Sequence, residues 1–465
     1  MGWCELEVDM RLHLLRWLGL RPSRGGIAFL ALATVLSVGC GRPSEASHDD
    51  AGAAASSLNV RYLTDASARR AALVRSLVNP SNGYSQLRLA HYDTGDARDW
   101  SRLPESNPRV EAVLPTELDE PGGAIVGTSL GANADALMVS DQALGGDTGA
   151  LLALGEKAFF EYPVQVSLAA EKATVSRVTF TDYGFWIDDV RGAGGLVRAE
   201  ASDGTPLFAF TCATCHAATR SGALVTGVGN DRLDLGRLTV DAALNPDPTV
   251  VTNLLAWGPG RLDVTTETGL EPVRFGDTRP IQWLDFLQAD GTVAVADVTA
   301  LAIRIETLII TSHGAQDRPP RAVALGLALY LESLGAGLPR SAPAGASELR
   351  GAGVFESNCV SCHVPPSFTG DPVPLAVAGT NPTDGLSQSR GTGSYRVPSL
   401  HGVGTRGPLL HDASLPSLNA MFDPSRLQST YSGGRLGPGP VAGHVFGLAL
   451  NAGDRADLVS YLDAL

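Results

Sequence analysis

Apolar residues recur at helical spacing in a few well-separated stretches of this chain and thin out between them. LLALGEKAFFEYPVQVS (151–167) opens as an amphipathic helix. VTALAIRIETLIITS (298–312) and RAVALGLALYLESLG (321–335) read as long apolar helices, the second started by Pro319 and Pro320. ARRAALVRSLV (68–78) and VVTNLLAWG (250–258) predict shorter ones. In the last stretch, AGDRADLVSYLDAL (452–465), Leu458, Tyr461 and Leu462 fall on one helical face. ATVSRVTFTDYGFWIDDV (173–190) alternates in part and is rich in β-branched and aromatic residues, which predicts a hairpin. From 79 to 150, frequent Pro, Gly and Asp predict an extended, irregular path. The pattern as a whole predicts a mainly α protein with irregular and some β insertions.

The N-terminus follows a different rule. Arg11, Arg16, Arg21 and Arg24 precede an apolar run from Ile27 to Val38, too short to span a bilayer and typical of an export signal that starts at Met1 or Met10. The run closes on LSVGC (36–40), which resembles a bacterial lipoprotein signal with Cys40 as the lipid acceptor. Ser37 stands where such signals usually carry Leu, so simple cleavage after Gly39 is the alternative. Either reading predicts a signal peptide over 1–40 and an exported protein, with the lipid version on the periplasmic side of a bacterial membrane. GRPSEASHDDAGAAASS (41–57) then reads as a flexible tether.

The chemistry lies in two copies of Cys-x-x-Cys-His, CATCH at 212–216 and CVSCH at 359–363. This is the attachment spacing of c-type haem. One helical turn puts both thiols and the imidazole on one face, so the thiols can bond to the porphyrin edge while the histidine ligates iron. A zinc site or a redox dithiol would use the Cys pairs but has no need of a following His in both. The six cysteines agree: Cys212, Cys215, Cys359 and Cys362 belong to the motifs, and Cys4 and Cys40 to the leader. Two covalently bound haem c groups are therefore expected, with His216 and His363 as proximal ligands.

Composition narrows the partners. The net charge of −14 argues against nucleic acid and is compatible with a basic electron-donor protein. The stretches before and after each motif repeat one plan: a helix with Gly and Phe, then the motif, a long loop, and a closing helix ending Tyr-Leu (Tyr330–Leu331, Tyr461–Leu462). That predicts two cytochrome c-like haem domains in tandem, 151–340 and 341–465, joined through a linker at 341–346. An N-terminal extension at 58–150 has no assigned role.

LGEKAFFEYPVQVS (154–167) resembles the opening helix of the bacterial di-haem cytochrome c peroxidase superfamily, which includes MauG-type enzymes and haem-dependent rubber oxygenases. YRVPSLHGVGTRGPLLHDASLPSL (395–418) resembles that family's run between its second motif and the C-terminus, and GHVFGLAL (443–450) a segment of the oxygenase-like branch. The resemblance covers roughly 150–465. It implies His444 as the second protein ligand of haem two, with Met421 as the alternative and a core methionine as the bland reading of the latter. It also implies a role for His411 in orienting a ligand or contacting a propionate, where a loop histidine would otherwise be expected. Trp257, in a place like the family's Trp-Asp-Gly-Arg, is implied to aid electron transfer between haems, although Gly258 and Pro259 break that motif.

The remaining His and Met of the mature region are His48, His91, His313, His401 and Met138. AATRSGALVTGVGNDRLDLGRL, after His216, holds neither residue type, which leaves haem one open or ligated from afar by a residue such as His313. Glu306, isolated among Ile and Leu, is the nominated proton-moving carboxylate, with an ion pair to Arg304 or Arg321 as the structural alternative. Calcium, which family peroxidases often hold, finds no compact acidic loop here. The expected function is reduction of hydrogen peroxide at haem one with electrons relayed through haem two; the alternatives are a dioxygen-dependent oxygenase and a tethered electron carrier. Denatured protein purified from an export-competent host is expected to keep two porphyrin adducts by mass, and Cys359→Ser with Cys362→Ser to keep one.

Overall fold

The computed structural model describes residues 48–92, 103–119, 130–132, 134–200, 206–265, 269, 271–338, 343 and 345–465. The leader, Cys4, Cys40 and the first part of the expected tether lie outside these residues. Helix and strand are mixed, with helix prevailing. No helix among the described residues is long and apolar enough to cross a membrane.

The chain enters as three helices, α1 (His48–Thr64), α2 (Ala66–Arg75) and α3 (Gly83–Tyr92). The latter part of the expected tether is thus helical. A short strand β1 (Val110–Ala112) follows, then α4 (Thr148–Glu161), which Asp147 caps by accepting from Ala150 N at 2.7 Å. Strands β2 (Gln165–Val166), β3 (Leu196–Glu200) and β4 (Pro206–Phe210) join β1 in one antiparallel sheet of order β1-β3-β4-β2. Between them, most of the hairpin expected at 173–190 is replaced by one short helix. Ser176 accepts from Thr179 N and starts Arg177–Asp182, and the hairpin forms later, from Ile187–Asp188 and Gly192–Ala193. A side-chain cap at Ser176 outweighs the partial alternation around it.

After β4 come α5 (Cys212–His216), α6 (Leu235–Ala242) and α7 (Pro248–Trp257), then the two apolar helices α8 (Val298–Ser312) and α9 (Arg321–Ser333). The second unit contains α10 (Ala346–Asn358), α11 (Leu418–Met421) and the closing α12 (Ala452–Ala464).

Both units are organised by a helix crossing at a glycine. α4 meets α9 where Gly155 faces Gly326; a Cβ on Gly155 would sit 1.9 Å from the Gly326 carbonyl oxygen. α10 meets α12 at Gly351, whose Cβ would sit 2.0 Å from the Asp457 carbonyl oxygen. One turn on from each glycine, a phenylalanine meets the tyrosine of the facing helix: Phe159–Tyr330 at 5.5 Å and Phe355–Tyr461 at 5.4 Å between ring centres. The repeated Gly, Phe and Tyr of the sequence are therefore one packing motif used twice. Leu458, Tyr461 and Leu462 are all buried in the second core.

The extension at 58–150 is built into this frame rather than appended to it. Tyr62 and Leu73 enter the main core with Phe159 and Ile309, and β1 pairs with β3. Beyond α2 the chain bridges both units. Val78 N donates to Thr292 O, while Gly83 N and Tyr84 N donate to Gln388 O and Ser389 O at 2.9 and 2.7 Å. Gly155→Ala is expected to lower stability by about 1–3 kcal/mol or more, because backbone rather than a movable side chain opposes the new methyl; a denaturant melt checks it.

Candidate functional site

The two Cys-x-x-Cys-His segments, far apart in sequence, open into one cavity of about 570 Å³. Its wall includes Cys212, Cys215 and His216 from the first motif, and Cys359, Cys362 and His363 from the second. The first motif is clamped from outside. Thr211 and Thr214 hydroxyls both donate to Gly195 O at 2.9 Å, and Trp186 Nε1 donates to Ala213 O at 3.0 Å. Gly195 itself has φ +61°, and a Cβ there would meet Thr214 N at 2.6 Å, so only glycine fits. The second motif turns off the end of α10: Cys362 N and His363 N both donate to Cys359 O.

Each histidine is oriented by a backbone carbonyl. His216 Nδ1 lies 2.9 Å from Gly276 O and His363 Nδ1 lies 3.1 Å from Phe368 O. Donation from Nδ1 leaves Nε2 as the free lone pair, the arrangement of a metal-bound imidazole. Burial lowers both histidines below their ordinary range, so each is neutral. Burial pushes the thiols of Cys212 and Cys215 up to about 12, and that of Cys359 to about 11. They are neutral thiols and none is in a disulfide. Among the described residues no three His, Cys, Asp or Glu are grouped so as to hold a bare metal ion.

Five arginines, Arg274, Arg304, Arg390, Arg396 and Arg406, also line the cavity. Burial lowers each of the four other than Arg304, Arg396 to about 10 and Arg406 to about 9. Arg304 Nη1, Arg390 Nε and Arg406 Nε have no hydrogen-bond acceptor. Buried guanidinium groups with unused N–H call for anions from a ligand. Haem fits on each count: two thiols and an Nε2 at each motif, a largely apolar wall, and cations for its carboxylates.

His444 stands opposite His363, the ring centres 6.4 Å apart. Two metal–imidazole bonds of about 2 Å plus half of each ring span about that distance. Its Nδ1 has no partner, and its backbone takes the left-handed φ of 45°. What holds it there is Arg426, fully buried, which donates to Met421 O (2.9 Å), Val441 O (2.5 Å), Gly443 O (2.7 Å) and His444 O (2.9 Å). The sequence gives no signal for Arg426 except an arginine next to a predicted ligand. Met421 also reaches the cavity wall, where it packs with Leu418 and Phe422 as a core residue.

His411 lines the cavity, stacked on Tyr395 at 4.5 Å with Nε2 3.3 Å from its hydroxyl; its Nδ1 has no partner. No imidazole among the described residues faces His216 as His444 faces His363. His313 is spoken for, with Nδ1 2.7 Å from Asp317 Oδ1 and Nε2 3.1 Å from Pro163 O. His401 Nε2 lies 2.8 Å from Pro366 O, its ring against Trp283. Met138 is 83% exposed. The side chains of His48 and His91 lie outside those described.

Two of the expected site residues lie off the cavity wall. Glu306 is fully buried but does not reach the cavity. On α8, Arg304, Leu308 and Ser312 face it, and Glu306 points away. Tyr62 Oη of α1 donates to Glu306 Oε2 at 2.9 Å, and Arg321 Nε lies 3.7 Å from Oε1. Burial raises this carboxyl against the pull of Arg321 and Tyr62, so it is a structural link to the extension. Trp257 is half-buried at the end of α7, donating from Nε1 to Gly269 O at 2.8 Å, and is not on the cavity wall.

No family model matches this chain, and no curated protein matches it. Among solved structures, a MauG-like protein associated with microbial copper homeostasis is similar at 17% identity over 39% of this chain and 70% of that one, with a TM-score of 0.28. A likeness at that score carries no argument, and this chain's own residues have to carry the chemistry.

Arg426→Met is expected to release the 441–444 segment and cost about 3 kcal/mol or more, since four carbonyls lose a buried charged donor. Arg426→Lys restores little, because one ammonium cannot span four carbonyls. Thermal melts and the visible spectrum of the loaded protein check both.

Proposed function

We propose that this chain is an exported di-haem c-type redox enzyme that reduces hydrogen peroxide at the first motif with electrons relayed through the second. One observation carries the reading: a single cavity joins a histidine with an opposed imidazole, His363 with His444, to one without, His216. His363 and His444 would together hold the group at the second motif and His216 the group at the first, and haem bound there would supply the electron transfer and the reaction with peroxide.

The chain's own residues have defined tasks. His216 and His363 would ligate through Nε2, each fixed by its carbonyl. His444 would close the second site to substrate. The cavity arginines would pair with the porphyrin carboxylates and keep the two groups in register. Val164, Phe210, Leu235 and Leu262 line the same cavity and would give the first site apolar surroundings. Overall, one hydrogen peroxide takes up two electrons from an external donor and two protons to give two waters. The basic leader and the LSVGC segment support export and attachment through lipid on Cys40.

The resting ferric spectrum is expected to contain one low-spin and one high-spin component. His444→Ala should turn the low-spin component high-spin and slow peroxide-dependent oxidation of a reduced donor by about tenfold or more, the scale on which even outer partners of metal ligands act. Met421→Leu should leave both unchanged. Two low-spin sites would replace this reading with a pure carrier, and oxygen uptake with an organic substrate but no peroxide turnover with an oxygenase.

A further inference from the structure

Two of the arginines on the cavity wall, Arg304 and Arg390, are backed by a ring from the N-terminal extension. Tyr84 lies in the first turn of α3 and is buried. The guanidinium carbon of Arg390 lies 4.6 Å from its ring centre, and that of Arg304 5.4 Å. Arg88, one helical turn on from Tyr84, brings a third guanidinium to 5.5 Å. Arg88 is fully buried and donates to Ser76 Oγ at 3.0 Å. The extension also holds the backbone of the loop that carries Arg390. Gly83 N and Tyr84 N donate to Gln388 O and Ser389 O, Asn82 Nδ2 to Arg390 O at 3.1 Å, and Asn79 Nδ2 to Gly391 O at 2.8 Å.

Three like charges around one ring repel one another, and burial strengthens the repulsion. The negative face of an aromatic ring offsets it, most of all where water is excluded. The phenol oxygen takes no part, since Tyr84 Oη has no hydrogen-bond partner. What matters at this position is therefore the ring. Arg304 is also felt at the first motif. After burial, its charge is among the influences that lower the His216 imidazole, against Gly276 O and Asp277. A cation near an iron ligand favours the reduced state of the bound group, because reduction adds negative charge.

We infer that Tyr84 is a positioning residue of the cofactor site: its ring fixes the guanidinium groups of Arg304 and Arg390 on the cavity wall, and through Arg304 it raises the reduction potential at the first motif. This rests on haem being held at the motifs and not on the reaction with peroxide. No bond forms or breaks in the role; the ring acts through charges that it keeps in place. The extension is then part of the site, although it lies outside the stretch that resembles the di-haem family. Its backbone ties place the loop of Arg390, and its ring places both side chains.

Redox titration of the haem-loaded protein, followed in the visible spectrum, reads the effect without peroxide. Tyr84→Phe keeps the ring and should leave both midpoint potentials unchanged. Tyr84→Leu should lower the first-site potential by about 59 mV or more, a tenfold change in a one-electron equilibrium. Pentafluorophenylalanine at position 84 keeps the shape of the ring but reverses the charge of its face, and should act like Tyr84→Leu. Arg304→Gln should shift the potential in the same direction, and adding Tyr84→Leu to it should shift it little further. Leu73→Ala, which weakens the core packing of the extension, should lower the melting temperature and leave both potentials alone. A wild-type potential with pentafluorophenylalanine, or a shifted one in Tyr84→Phe, would overturn the inference; both replacements keep the packing, so they decide it even if Tyr84→Leu fails to fold. A protein that ignores peroxide but shows the shifts would retire the peroxide reading and leave Tyr84 in its role. Failure of the haem reading itself shows separately, as missing porphyrin adducts by mass.

Discussion

A guanidinium group taken out of water has to meet acceptors, either a fan of carbonyls or an anion. Arg274, Arg304, Arg390, Arg396 and Arg406 all border one cavity, and the acids on its wall, Asp290 and Asp384, are outnumbered even with Asp277 beside Arg274 and Arg406. Desolvation of this kind costs several kcal/mol per unpaired ion. The polypeptide has placed positive charge where the carboxylates of the proposed ligand would pair with it. The thiols and imidazoles at the same wall say what else the ligand must offer.

The two units solve the packing problem around that cavity in the same way. A glycine lets two helices touch backbone to backbone, and a Phe–Tyr contact one turn away sets their rotation. Close crossing is useful beside a large planar group, because it leaves the remaining helix faces free to wall a cavity rather than fill it. The first unit adds a four-stranded sheet that delivers the chain into its motif; the second reaches its motif directly from the end of a helix.

Local features were legible in the sequence. Both motifs, the apolar helices and the repeated Gly, Phe and Tyr depend on neighbours within a few residues. Features set by distant partners were not. Glu306 looked like a cavity carboxylate because periodicity shows that α8 has faces but not which one meets the site; its partner Tyr62 is 244 residues away. Tyr84 lies in a stretch that reads as irregular, and the arginines stacked on it from the cavity wall come from distant segments. Arg426 holds four carbonyls that only the folded chain brings together. Trp257 was placed by analogy with a motif this chain does not complete, and it caps its own loop instead.

The N-terminal segment spans the seam between the units, with Asn82 Nδ2 donating to Thr292 Oγ1 on one side and to Arg390 O on the other. Its partners at 388–391 lie late in the chain. A segment made 308 residues before one of its partners must therefore wait for that partner before it can dock fully, and until then the seam is unlatched. Assembly so ordered makes an early-made part of the polypeptide one of the last to settle.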